Sequence, residues 1–170
     1  MISPDSMIVI VMGVAGSGKT TVGRLLAETL GWSFHEGDDL HPLANVQKMA
    51  AGIPLTDADR LPWLEALRAL IERCLAIGED AAVACSALKA SYREILAGGL
   101  DGVRFVHLTG SRDLIRDRLE QRHGHFMKAR MLDSQLAALE PPSHALEVDV
   151  AGSPEEIVAE IVRWIIPLAR

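Results

Sequence analysis

Cysteine and aromatic residues are scarce in this 170-residue chain, which holds two Cys, three Trp, one Tyr and three Phe. Cys74 and Cys85 both sit inside apolar stretches, and their spacing fits neither a zinc-ligand set nor a disulfide framework, so they read as buried, reduced thiols. No apolar run reaches the length of a membrane-spanning helix. The first seven residues lack a positive n-region, and Ile8–Met12 is too short for a secretory h-region. A soluble, cytoplasmic protein is the expectation, with no membrane partner. A basic stripe with interleaved aromatics is also missing, and 23 acidic residues against 17 Lys and Arg give a net charge of −6. That balance argues against a nucleic-acid partner and for a small solute handled by local basic clusters. There is no internal repeat, low-complexity tract or dividing linker, and the length fits one domain over residues 1–170.

What the chain does contain is Gly13-Val14-Ala15-Gly16-Ser17-Gly18-Lys19-Thr20, a GxxxxGK[ST] sequence. It follows the apolar run Ile8–Met12 and leads through Thr21 into a helical pattern. Glycines let successive backbone N–H groups turn inward on a β-phosphate, and the following helix adds the positive end of its dipole. Lys19 is then placed to reach the β- and γ-phosphates, and the Thr20 hydroxyl to ligate Mg²⁺. Residues Gly13 to Thr21 are the expected nucleotide-binding set, with ATP and Mg²⁺ as cofactors.

Strands are expected at Ile8–Met12, Ser33–Glu36, Ala81–Cys85, Val103–Leu108 and Leu146–Val150, each short and apolar without clean alternation, as for strands buried on both faces. Helical spacing occupies roughly 18–30, 59–77, 112–122 and 154–166, the last opened by Ser153, Pro154 and Glu156 as a capping box with proline in the first turn. Alternating strands and helices imply parallel strands, right-handed crossovers and a three-layer α/β sandwich. Ligands in such sheets bind beyond the carboxyl ends of the strands, so chemistry is expected in the loops after residues 12, 36, 86 and 109.

The polar residues fall in those loops. Glu36-Gly37-Asp38-Asp39-Leu40-His41-Pro42 places carboxylates at a strand end, where phosphoryl transfer to an alcohol needs a proton acceptor and a metal-holding group. Asp38 is the candidate for the hydroxyl contact and Glu36 for the outer coordination sphere of Mg²⁺. His41, Asn45 and Lys48 follow at intervals that share a face if helical, a surface along which a polyhydroxylated substrate can lie. Arg60 is a candidate carboxylate or hydroxyl clamp, and Trp63 either core or pocket wall. Lys89 and Arg93, after Cys85-Ser86-Ala87-Leu88, are further substrate candidates on one helix face, although helix surfaces carry such pairs routinely. Cations dominate 112–130 around His123-Gly124-His125-Phe126, which resembles a closing lid over about 122–131. Arg118 and Arg122 are its candidates for reaching the transferring phosphoryl group. The alternative for this segment is a solvated helix with alternating charges.

Together with Gly13–Thr20, the segments Gly37-Asp38-Asp39-Leu40-His41-Pro42, Lys48-Met49, Asp57 to Arg60, Trp63, Cys85-Ser86-Ala87-Leu88-Lys89, Tyr92-Arg93, Gly124-His125-Phe126 and Met131-Leu132 resemble the P-loop gluconokinases. The likeness runs from about residue 7 to residue 150. It implies ATP-dependent phosphorylation of the terminal hydroxyl of D-gluconate to 6-phospho-D-gluconate. It also implies a shikimate-kinase-like P-loop kinase fold with a five-stranded parallel sheet and a mobile lid. By the same likeness Asp38 takes the place of the acidic residue that meets the substrate hydroxyl and Arg60 that of a substrate-binding arginine. Members are often homodimers, an expectation carried over to this chain. Glu36 stands where aspartate is common, Thr20 replaces serine, and residues 140–145 form a shorter passage than expected before the last strand. Competing readings are another small-metabolite kinase such as a shikimate kinase, or a nucleotide-binding regulator. A GTPase switch would carry an NKxD-type guanine reader, which is missing here.

Overall fold

The computed structural model describes residues 5–123 and 126–168, and within these every side chain except those of 123 and 126–129. Five strands, β1 (Ile8–Met12), β2 (Ser33–Glu36), β3 (Ala81–Ala84), β4 (Val103–Thr109) and β5 (Ala145–Asp149), form one parallel sheet in the order β2-β3-β1-β4-β5. Helices α1 (Lys19–Leu30), α2 (Leu43–Ala50), α3 (Asp57–Ile77), α4 (Ala90–Ala97), α5 (Arg112–His123), α6 (Phe126–Ala138) and α7 (Pro154–Ile165) connect and cover it. The α/β class and the five-stranded parallel sheet are as expected.

The central strand β1 explains its own sequence. Alternate residues of a strand face opposite sides, so Ile8, Ile10 and Met12 pack with Leu64, Leu67 and Ile71 of α3 and Leu96 of α4. Val9 and Val11 pack on the other side with Val22 and Leu26 of α1 and Ile157, Val158 and Ile161 of α7. Both faces are dry, hence an unbroken apolar run in place of alternation. Cys74 and Cys85 are buried free thiols, and burial pushes Cys85 up to about 12.

Helix α3 begins two residues before the expected start. Thr56 Oγ1 accepts from Asp59 N at 3.1 Å while the Asp59 carboxylate accepts from Thr56 N at 2.9 Å, a complete capping box that draws the acidic segment into the first helical turn. At α7, Ser153 Oγ accepts from Glu156 N at 3.2 Å with Pro154 next to it, so the expected start is in place. Helix α6 was not foreseen as a helix. It forms where Leu132, with Leu136 beside it, packs on Ile115 and Leu119 of α5 and on Val14 and Leu88, a small apolar cluster beneath the GxxxxGK loop. The break read at Gly124-His125 lies outside the described residues.

Candidate active site

The loop Gly13–Gly18 joins β1 to α1 at the carboxyl end of the sheet. Gly16 has φ +80°, and a Cβ there would stand 2.6 Å from Leu119 Cγ, so the close seat of α5 on this loop requires glycine. Lys19 Nζ donates to Val14 O at 3.0 Å, folding the ammonium over its own loop. Desolvation draws the Lys19 pKa down, and the charges of Asp38 and, more weakly, Glu36 push back in the other direction. Among the described residues Ser17 Oγ is buried without a hydrogen-bond partner. An orphaned hydroxyl and a desolvated ammonium on a glycine-rich loop suit the oxygens of a polyphosphate. Three loop amides are otherwise engaged: Gly13 N donates to Ser86 O at 3.3 Å, Ser17 N to Val14 O at 3.2 Å, and Ala15 N to Gln135 Oε1 of α6 at 2.6 Å.

Thr20 and Glu36, from α1 and β2, meet: Thr20 Oγ1 donates to Glu36 Oε2 at 2.5 Å. A hydroxyl and a carboxylate form a hard oxygen pair suited to Mg²⁺, directly or through its water. On the opposite side of the loop a cavity of about 380 Å³ lies between Gly16, Ser17, Gly18 and Thr21, the end of α5, and the start of α7. Arg118 and Arg122 both line it, together with Gln121, Gly152, Pro154 and Ile157, which sequence reasoning did not single out. Arg122 Nη2 donates to Thr21 Oγ1 at 3.4 Å, and Arg118 Nη2 to Val150 O at 2.7 Å. Their nearest neighbours are thus the nucleotide loop and the β5–α7 junction.

Asp38 lies in a 3₁₀ turn, Gly37–Leu40, that continues β2. Its carboxylate is 76% exposed and 3.9 Å from His41 Nε2. The turn is anchored from below. Trp63 Nε1 donates to Gly37 O at 2.8 Å, and the Trp63 ring stacks on His41 with centroids 4.2 Å apart and planes 14° from parallel. Trp63 is therefore core, buried with α3, and its ring carries His41 beside Asp38. Burial lowers the His41 pKa, opposed by Asp38. A neutral ring can accept the Asn45 amide proton at Nδ1, 3.2 Å away.

The remaining basic residues are already partnered. Lys48 bonds both oxygens of Asp59 at 3.0 and 2.9 Å, an interaction that holds Asp59 at about 2. Asn45 is buried and donates to Asp59 O at 2.8 Å, so it fastens α2 to α3, and the face it shares with His41 and Lys48 is packed against the start of α3. Lys89 pairs with Asp57 at 3.0 Å, and the Tyr92 hydroxyl donates to the same carboxylate. Both bonds lower the Asp57 pKa, Tyr92 more than Lys89. Arg60 donates to Leu55 O at 2.5 Å and to Tyr92 Oη at 3.4 Å, with its guanidinium 5.6 Å from the Tyr92 ring centroid. Arg93 gives its donors to three carbonyls, Ala87 and Leu88 at 2.7 and 3.1 Å and Glu140 at 2.8 Å, which fixes the loop after β3. Asp57 and Tyr92 are thus members of the basic cluster that carried no assigned role. The Thr56-Asp57-Ala58-Asp59 cap was a readable signal for the position of Asp57.

A phosphate-binding loop after β1, an oxygen pair suited to a divalent ion, and an exposed carboxylate at the end of β2 beside clustered cations define a P-loop kinase acting on a small, hydroxylated metabolite. The model described as the AAA domain matches residues 8–142. The gluconokinase of Gluconobacter oxydans is 48% identical over 157 residues, 91% of this chain and 88% of that protein. The thermoresistant gluconokinase of Escherichia coli is 40% identical over 165 residues, 95% of this chain and 94% of that protein. A crystal structure of a gluconokinase from Sinorhizobium meliloti superposes with a TM-score of 0.84 at 46% identity, covering 98% of this chain and 95% of that one. The chain belongs to the gluconokinase family within the AAA-domain proteins.

Proposed function

We propose that this protein transfers the γ-phosphoryl group of ATP to the terminal hydroxyl of D-gluconate, with Asp38 as the residue that receives or orients the hydroxyl proton. The observation that carries the reading is the position of Asp38, exposed on the turn after β2, with its charge felt by the cradle lysine. Backbone amides from Gly13 to Gly18 and the Ser17 hydroxyl hold the phosphates, Lys19 binds the β- and γ-oxygens, and Thr21 flanks them. The base of the nucleotide occupies the cavity bounded by Gln121, Gly152, Pro154 and Ile157. Thr20, and Glu36 through water, would hold Mg²⁺, which would supply charge neutralisation for the phosphates.

Gluconate lies on the Asp38 side. Arg60 and Lys89 bind its carboxylate or hydroxyls, His41 and Lys48 border it, and Arg93 acts by holding the loop that presents Lys89. Lys89 and Lys48 exchange their partners Asp57 and Asp59 for substrate oxygens as gluconate enters. Arg118 and Arg122 close with the lid over about 122–131, excluding water and meeting the charge that develops on the transferring group. Proximity and electrostatics then do most of the work, because a loose phosphoryl transition state asks for little covalent help. A homodimer and a cytoplasmic location complete the reading. Among the described residues no helix is long and apolar enough to cross a membrane.

The test is ADP release from MgATP with D-gluconate, shikimate, glucose, AMP or no acceptor in parallel. Turnover with gluconate alone supports the proposal. An equal rate in every arm, or a preference for shikimate, overturns it.

A further inference from the structure

Away from the phosphate loop, three side chains distant in sequence converge at the edge of the sheet. His35 lies on the edge strand β2, Cys74 near the end of α3, and Glu79 in the turn leading to β3. His35 Nε2 is 3.8 Å from Cys74 Sγ and 3.6 Å from Glu79 Oε1, and all three ligand atoms lie within 4.8 Å of one another. The cysteine is buried, whereas the His35 and Glu79 side chains are 26% and 29% exposed. Solvent therefore reaches the cluster from the imidazole and carboxylate side, with the sulfur at its floor.

The two separations measured from His35 Nε2 approach those of a tetrahedral metal. Metal–sulfur and metal–nitrogen bonds of about 2.3 and 2.0–2.1 Å at a tetrahedral angle place S and N about 3.6 Å apart, and N and O about 3.4 Å apart. The observed distances exceed these by only a few tenths of an ångström. We propose that His35, Cys74 and Glu79 form a binding site for a thiophilic divalent cation of the zinc class, with water in the fourth position.

Thiolate, imidazole and carboxylate together select a borderline-soft ion and disfavour Mg²⁺, which prefers an all-oxygen set. As the metal–sulfur bond forms, the Cys74 thiol releases its proton to water. Thiolate and carboxylate then offset the charge of the dication, next to the Arg73 guanidinium, which acts on both Cys74 and Glu79. Ser33, on the same strand as His35, neighbours the Glu79 carboxylate and favours its charged form. The ion ties β2 to α3 one residue before Glu36, so it stiffens the strand that carries the site's acidic end. Cysteine spacing alone pointed away from zinc because only one of the ligands is a cysteine, and the other two arrive through the fold.

Co²⁺ tests the site, because a cobalt–thiolate bond has a charge-transfer absorption that oxygen ligands cannot produce. Titration of the full chain without nucleotide is expected to give that band at one equivalent, together with the intense visible bands of tetrahedral cobalt. Zn²⁺ should displace both. Cys85 lies near Lys19 and Glu36 and is the competing thiol, so the band should persist in Cys85→Ala and vanish in Cys74→Ala. His35→Gln and Glu79→Gln leave the core intact and should each weaken Co²⁺ binding about tenfold or more. The proposal is overturned by the absence of a thiolate band at one equivalent, by its survival in Cys74→Ala, or by unchanged affinity in either of the partly exposed variants.

Discussion

Replacing Trp63 with phenylalanine separates the two roles that the structure gives to one side chain. The indole N–H is the donor to Gly37 O, a buried carbonyl at the start of the turn that carries Asp38. Phenylalanine removes that donor from a buried carbonyl, which costs about 1–3 kcal/mol. It also loses part of the stacked contact with His41, worth about 0.5–1.5 kcal/mol when complete. A net loss of about 2–3 kcal/mol follows, and at about 2–4 °C per kcal/mol for a chain of this size the melting temperature should fall by about 4–12 °C. Differential scanning calorimetry of the nucleotide-free protein reads this directly. Because the freed turn bears Asp38 and His41, the KM for gluconate should rise while the Kd for ATP stays near the wild-type value. A variant melting within about 1 °C of wild type, with an unchanged gluconate KM, would refute the claim that Trp63 anchors the site.

Lys19→Ala should reduce phosphoryl transfer by at least about 100-fold while the circular dichroism spectrum is retained, since among the described residues the ammonium bonds only a carbonyl of its own loop. Gly37→Ala places a Cβ 2.3 Å from Ala84 O, a backbone atom that cannot swing away. It should destabilise the protein by about 1–3 kcal/mol and lower turnover as the acidic turn lifts from β3, both measurable by denaturant titration and steady-state kinetics. The Asp59 carboxyl is held at about 2, against 3.8 for an ordinary aspartate, chiefly by Lys48. A carboxyl whose folded pKa lies below its unfolded value stabilises the fold fully above the unfolded value. That contribution is lost as pH falls from about 4 towards 2. In Lys48→Met, NMR titration should find Asp59 closer to its ordinary value, with the acid-dependent loss of stability correspondingly smaller.

The frame of the molecule was readable because its signals are local. Ile8–Met12 and Ser33–Glu36 form strands over the expected residues, since each is a short run flanked by turn residues. The ends of the other strands move by a residue, as at β5, which is Ala145–Asp149 where Leu146–Val150 was expected. Helix α6 was missed because its apolar contact is small and borrowed: Leu132 finds its partners on α5, in the loop after β3 and in the phosphate loop, not on the sheet. In the site, residue types and their strand-end positions were legible. What each cation bonds was not, because Lys48 and Asp59 are 11 residues apart, Lys89 and Asp57 are 32 apart, and Arg93 spends donors on a carbonyl 47 residues away. Likewise, nothing in the passage 140–145 reveals the cavity wall, which comes from Gly152, Pro154 and Ile157 beyond β5.

The most direct measurement is the gluconate-dependent kcat/KM of Asp38→Asn, a substitution that keeps the size of the side chain and removes its ability to take a proton. Positioned general-base catalysis is worth about 10²–10⁴-fold, and a loss in that range with unaltered ATP binding is the expected result. Wild-type turnover in Asp38→Asn would contradict the assignment of the carboxylate after β2 to the substrate hydroxyl.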